Sequence, residues 1–183
     1  MIVKVIIFAA ATVGIIYLSR GSLLNPRSHG FYRFWAWEVL LMLLMLNVDD
    51  WFQDPFSVHQ IISWCLLTVC IYPVVHGTIL LRRVGKPDQE RDDVPMVGIE
   101  KTTILVTEGI YRHIRHPLYS SLFLLGWGIF FKDPSWLGGG LAAAATVLLV
   151  VTAKIEEGEN VRYFGPAYEE YMQRTKMFVP FLF

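Results

Sequence analysis

Residues 56–81 read FSVHQIISWCLLTVCIYPVVHGTILL, twenty-six residues without a formal charge. A bilayer's hydrocarbon core is about 30 Å thick and takes roughly 20 apolar residues to cross as a helix, so this stretch alone assigns the chain to a membrane. The whole composition agrees. Apolar residues make up 54% of the 183 and charged residues 17%, with a mean hydropathy of +0.44. A soluble domain would carry about 25% charge, which excludes a water-soluble globule. Net charge is zero, so there is no basic excess to recruit a nucleic acid. Two cysteines, Cys65 and Cys70, sit in this same apolar run, where they are expected as buried helix residues and make no disulfide scaffold.

Outward from this stretch, residues 1–19 (MIVKVIIFAAATVGIIYLS) and 31–48 (FYRFWAWEVLLMLLMLNV) form two earlier spans. No small-residue cleavage site follows the first before Arg20, so it is expected to stay as a helix rather than be removed as a signal peptide. Residues 118–131 make a short fourth span and 136–153 an uncharged fifth, whose Gly138–Gly140 and Ala142–Ala145 give it a small-residue face. Five spans put fourteen of the sixteen basic residues on one side, in the 20–33 and 82–115 loops and the C-terminal segment. The other side holds Lys4, Lys132 and the acidic 47–55 loop. By the positive-inside rule the C-terminus is expected in the cytoplasm and the N-terminus outside. The expected fold is therefore an all-α integral membrane protein of about five transmembrane helices, closed by a short cytoplasmic amphipathic helix. Residues 1–81 hold the first three spans, and 82–183 hold a cytoplasmic loop, the last two spans and the C-terminal segment. The charge cluster at 88–93 (DQERDD) reads as a solvated loop, with a lid over a site as the other reading.

Two stretches carry chemistry: 104–121, ILVTEGIYRHIRHPLYSS, and 154–171, KIEEGENVRYFGPAYEEY. Pro117 fits the first position of the fourth helix and keeps His116 extended, which gathers Arg115, His116 and free helix-start N–H groups into a ready anion site. Glu156 and Glu157 follow the fifth span and are expected at a helix end, where negative charge is disfavoured unless it finds a cation. Past a break at Gly165-Pro166, Phe164, Tyr168 and Tyr171 form an apolar stripe. An anion clamp beside a cation acceptor suits a zwitterionic ligand such as the methionine end of S-adenosylmethionine.

Arg115-His116-Pro117-Leu118-Tyr119, followed by Glu156-Glu157, Phe164-Gly165, Tyr168 and Tyr171, resembles the C-terminal half of the isoprenylcysteine carboxyl methyltransferase and phospholipid methyltransferase superfamily. The resemblance covers residues 104–180 and departs at Ser121, where many members have Gly, and at Asn160, where Leu is usual. It implies S-adenosylmethionine as cofactor, held by Arg115, His116, Pro117, Tyr119, Glu156 and Glu157. The 104–111 backbone, with Leu105, Val106, Gly109 and Tyr111, would border the adenine. It also implies a lipid or prenylated acceptor arriving from the bilayer.

Methyl transfer from a sulfonium is an in-line displacement that needs alignment and dryness above all. For a carboxylate acceptor, Arg162 or Arg112 is expected to orient it, and for an amine, Glu157 or His116 is the candidate base. An isoprenylcysteine-type carboxylate is the first expectation, with an aminophospholipid or a small thiol as alternatives. A nicotinamide-dependent membrane reductase and a scaffold that has lost the chemistry are the competing classes. Five scattered histidines do not make a di-iron or zinc site.

Overall fold

A computed structural model describes residues 2–88, 96 and 98–180. The described chain is helical: α1 (Ile2–Leu23), α2 (His29–Asn47), α3 (Val58–Val69), α4 (Ile71–Arg83), α5 (Pro117–Phe130), α6 (Trp136–Phe164) and α7 (Pro166–Arg174), with short 3-10 turns between some of them. Four segments are long and apolar enough to cross a membrane: α1, Ile2–Leu23; α2 with its following turn, His29–Asp50; α3 with α4, Val58–Arg83; and α6. The shorter apolar α5 is the fifth. Most of the 88–93 charge cluster lies outside the described residues.

The 56–81 stretch is not one uninterrupted helix. It is broken at Cys70, where Pro73 removes the N–H that would bond the carbonyl four residues earlier. Ser121 donates to the Cys70 carbonyl at 2.8 Å, so the departure at Ser121 faces this break. Ser63 likewise donates to the Gly128 carbonyl at 2.7 Å. The fifth span also departs from expectation, because α6 runs on without a break to Phe164. Nothing in its sequence stops it before Gly165, whose φ of +62° ends the helix, so Glu156 and Glu157 lie inside α6 rather than at its end.

α2 and α6 form the most extensive helix pair, α1 leans on α2, and α3 and α4 pack on α5. The small-residue face of α6 serves the α2 contact: Ala142 is buried with Leu43 and Ile129. Ala143 and Ala144 point away and are exposed. At the far end Lys4 pairs with Asp49 at 2.7 Å, and buried Lys132 donates to Gln60 at 3.0 Å with its ammonium 3.2 Å from the Trp64 ring centre. At the other end, residues 175–179 run beside 113–116. Arg115 N–H donates to the Lys176 carbonyl at 2.8 Å, and Lys176 N–H donates to the His113 carbonyl at 3.0 Å. Phe178 and Met177 then join Tyr119, Leu149 and Ala153 in the core under the site.

Candidate functional site

Where α5, α6, α7 and the 100–106 segment converge there is a cavity of about 620 Å3, counting its open mouth. Eight of the ten residues expected around a cofactor lie on its wall: Leu105, Val106, Tyr111, Arg115, His116, Pro117, Tyr119 and Glu156. Gly109 does not. It approaches α4 closely instead: a Cβ there would sit 2.6 Å from Leu80 Cδ1, and its φ is +56°. Glu157 does not line the cavity either. The cavity wall also takes Glu100, Thr102, Asn160, Phe164, Tyr168 and Tyr171.

Helical spacing explains how one stretch of α6 does several jobs. Glu156, Asn160 and Phe164 are four apart, share one face and reach the cavity. Glu157, about 100° round the helix, accepts from Arg115 Nε at 2.6 Å. Arg115 is then committed further, donating from Nη1 to the Thr175 carbonyl at 2.5 Å and the Met172 carbonyl at 3.3 Å. Glu159 faces α2, taking the His29 N–H at 3.0 Å and the His29 ring Nδ1 at 2.5 Å. Glu157 and Glu159 are thus compensated. Glu156 is less so: its Oε2 is buried without a hydrogen-bond partner, 3.7 Å from His116 Nδ1.

His116 stands between two carboxylates, with Nε2 3.4 Å from Glu157 Oε1 and no hydrogen bond made by that nitrogen. It stacks on Tyr119, ring centres 5.4 Å apart, and the Tyr119 hydroxyl is also buried without a partner. Three buried polar atoms of wall residues therefore lack a hydrogen-bond partner, each a cost of about 1–3 kcal/mol. The remaining wall is aromatic. Burial pushes the phenols of Tyr111, Tyr168 and Tyr171 above their ordinary value, so they stay neutral. Tyr171 donates to the Tyr111 carbonyl at 2.7 Å and fixes α7 over the cavity.

The arginines expected to orient an acceptor are elsewhere. Arg112 is exposed and lines a separate cleft with Thr107, Arg174 and Thr175. Arg162 is exposed on α6, off the cavity wall. Sequence reasoning also missed a buried chain behind the cavity, in which Arg33 pairs with Glu100 and His29 lies between Glu100, at 3.5 Å, and Glu159. The signal was there: a formal charge inside an apolar span, as at Arg33, calls for a named partner. Glu100 could not be picked from its neighbours in a polar loop. Among the described residues no cluster of metal-ligating side chains occurs.

Residues 94–167 match the sequence model of the phospholipid methyltransferase family. Over 151 residues, 81% of this chain and 55% of the relative, it is 26% identical to the methanethiol S-methyltransferase of Crocosphaera subtropica. It is 31% identical over 151 residues to methanethiol S-methyltransferase 1 of Bradyrhizobium diazoefficiens, covering 80% of this chain and 49% of that one. Over 82 residues, 43% of this chain and 40% of the relative, it is 35% identical to protein-S-isoprenylcysteine O-methyltransferase B of Arabidopsis thaliana. The chain spans about half the length of the curated relatives it matches. No solved structure matches it at the same stringency.

Proposed function

We propose that this chain, a member of the phospholipid methyltransferase family over residues 94–167, is an integral membrane methyltransferase that uses S-adenosylmethionine to methylate a thiol. One observation carries the cofactor reading. Of the three carboxylates on the 156–159 turn, Glu156 alone lines the cavity, and its Oε2 is buried without a hydrogen-bond partner, 3.7 Å from His116 Nδ1. Such a set fits a ligand that brings both an ammonium and hydrogen-bonding groups. When bound, S-adenosylmethionine supplies a methyl group on a sulfonium, open to in-line displacement. The protein's part is to hold the ammonium at Glu156, to exclude water with Phe164, Tyr168 and Tyr171, and to keep the acceptor aligned.

The acceptor follows from charge. Among the described residues Arg115 is the one arginine or lysine on the cavity wall, and Glu157 and two carbonyls already occupy it. An acceptor carboxylate would therefore meet a cation already paired with Glu157, whereas a thiol needs none. The thiol proton would go to the His116 ring, and Glu157, 3.4 Å from its Nε2, would stabilise the imidazolium. With S-adenosylmethionine held at Glu156, the products would be a thioether and the demethylated cofactor. The relatives named methanethiol S-methyltransferases support this choice. The isoprenylcysteine carboxylate is the second reading, favoured by the relative of that name in Arabidopsis. The cavity lies at the end of the bundle opposite Lys4 and Lys132, the end expected from the basic residues to be cytoplasmic, which supports a cytoplasmic cofactor site.

The test uses purified protein in detergent. Calorimetry with S-adenosylhomocysteine reads cofactor binding, and labelled methyl transfer to ethanethiol or to a farnesylcysteine reads the acceptor. Absence of binding overturns the cofactor reading. Binding with transfer to the farnesylcysteine alone overturns the thiol reading.

A further inference from the structure

Two carboxylates line the same cavity, and their surroundings differ. Glu156 has no cation at hydrogen-bond distance, whereas Glu100 pairs with Arg33, 1% exposed, and has Nε2 of the fully buried His29 at 3.5 Å. A carboxylate already paired with a guanidinium gains little from a second cation, and its two oxygens offer about four lone-pair sites for further donors. It suits neutral O–H donors. Glu100 lines the cavity with Thr102, Leu105 and Val106 of the same segment. That wall is fixed, because Thr103 and Ile104 N–H groups both donate to the Gly85 carbonyl, at 3.0 and 3.2 Å.

We infer that Glu100 is a ligand-contacting residue that accepts hydrogen bonds from a vicinal diol, the ribose hydroxyls of a nucleoside-bearing cofactor, with Arg33 and His29 as the residues that hold it in place. This rests on the cofactor reading above. Glu156 takes the cationic end of the ligand and Glu100 its neutral, hydroxylated middle.

The test compares S-adenosylhomocysteine with its 2′-deoxy and 3′-deoxy analogues by calorimetry, on wild type, Glu100→Gln and Glu156→Gln. Wild type is expected to bind the parent about tenfold or more tighter than either analogue, on the scale of one charged hydrogen bond. Glu100→Gln should weaken the parent by a similar factor and bind all three nearly alike. Glu156→Gln should weaken all three and keep their ratio. Should Glu100→Gln lose its thermal transition, Glu100→Asp replaces it; the charge opposite Arg33 is kept, the reach into the cavity is shortened, and the same loss of discrimination is expected. Full discrimination in the Glu100 variant, or none in wild type, overturns the proposal while leaving the cofactor reading intact. No binding of the parent by wild type overturns both.

Discussion

Arg115 and Glu157 meet at 2.6 Å, and the same guanidinium reaches the carbonyls of Met172, in the last turn of α7, and Thr175, just past its end, so one ion pair fastens α6, the 113–116 segment and α7 together. Its neighbour Glu156 has no such duty. Two adjacent glutamates therefore differ in kind. Glu157→Gln is expected to lower the melting temperature, because removing one partner of a largely buried pair costs about 3 kcal/mol. Glu156→Gln should leave the melting temperature unchanged and weaken S-adenosylhomocysteine binding by about 1.5–3 kcal/mol. Thermal denaturation and calorimetry on both variants separate these outcomes, and equal effects at the two positions would contradict the division.

Gly165 joins α6 to α7 at φ +62° and ψ −143°, a conformation that is almost exclusive to glycine. A Cβ there would touch nothing within 4 Å, so the cost of Gly165→Ala is backbone strain alone, about 1–3 kcal/mol. Strain of that kind is relieved by moving α7, which carries Tyr168 and Tyr171 to the cavity wall. The expected result is weaker cofactor binding with a modest loss of melting temperature. An unchanged affinity would mean that α7 does not close the site.

Much of this was readable beforehand. The 26-residue uncharged run and its four companions dictated the spans, and the Arg115-to-Tyr119 and Glu156-to-Tyr171 segments pointed to the residues that converge on one cavity. What was not readable depends on distance in three dimensions. Glu100 and His29 are 71 residues apart and meet only because α2 and the 98–100 turn reach the same corner. The committed state of Arg115 was equally hidden, since its partners lie 42, 57 and 60 residues away. Arg112 and Arg162 looked suitable because their residue type was right, but both are exposed and neither lines the cavity.

Acid should act through Glu100. Burial pulls its carboxyl upward, but Arg33 and His29 more than offset this and hold it at about 2, below an ordinary glutamate at about 4.3. A depressed folded value gives stabilisation that is complete above the ordinary value and lost as pH falls through the folded one. The melting temperature in detergent should therefore stay level from neutral pH to about 5 and decline from about 4 toward 2. Arg33→Ala should flatten that acid limb and lower stability at neutral pH. An identical acid limb in wild type and Arg33→Ala would show that other carboxylates set it.

Sidedness is open to direct labelling. With Cys65 and Cys70 replaced by serine, single cysteines at Asp49 and at Lys176 should report opposite compartments to an impermeant maleimide in intact cells, Asp49 outside and Lys176 inside. The Lys4–Asp49 pair at 2.7 Å requires the start of α1 to share the Asp49 side, so a cysteine at Ile2 should follow Asp49. Labelling of Asp49 and Lys176 from one side would overturn the five-span arrangement.

The choice of acceptor can be read from how the rate depends on thiol acidity. If His116 takes the proton, its loss matters most for a thiol that is protonated at neutral pH and least for one already ionised. At saturating cofactor, His116→Gln should slow transfer to an alkanethiol by about a hundredfold or more and transfer to an acidic arylthiol far less. Because both acceptors use the same bound cofactor, any weakening of that binding cancels in the ratio of the two rates. Raising the pH should recover part of the alkanethiol rate in the variant as solvent ionises the thiol. A carboxylate acceptor is ionised throughout and would show neither trend. If the variant slows both thiols equally, His116 only positions the cofactor, and the proton leaves by another route.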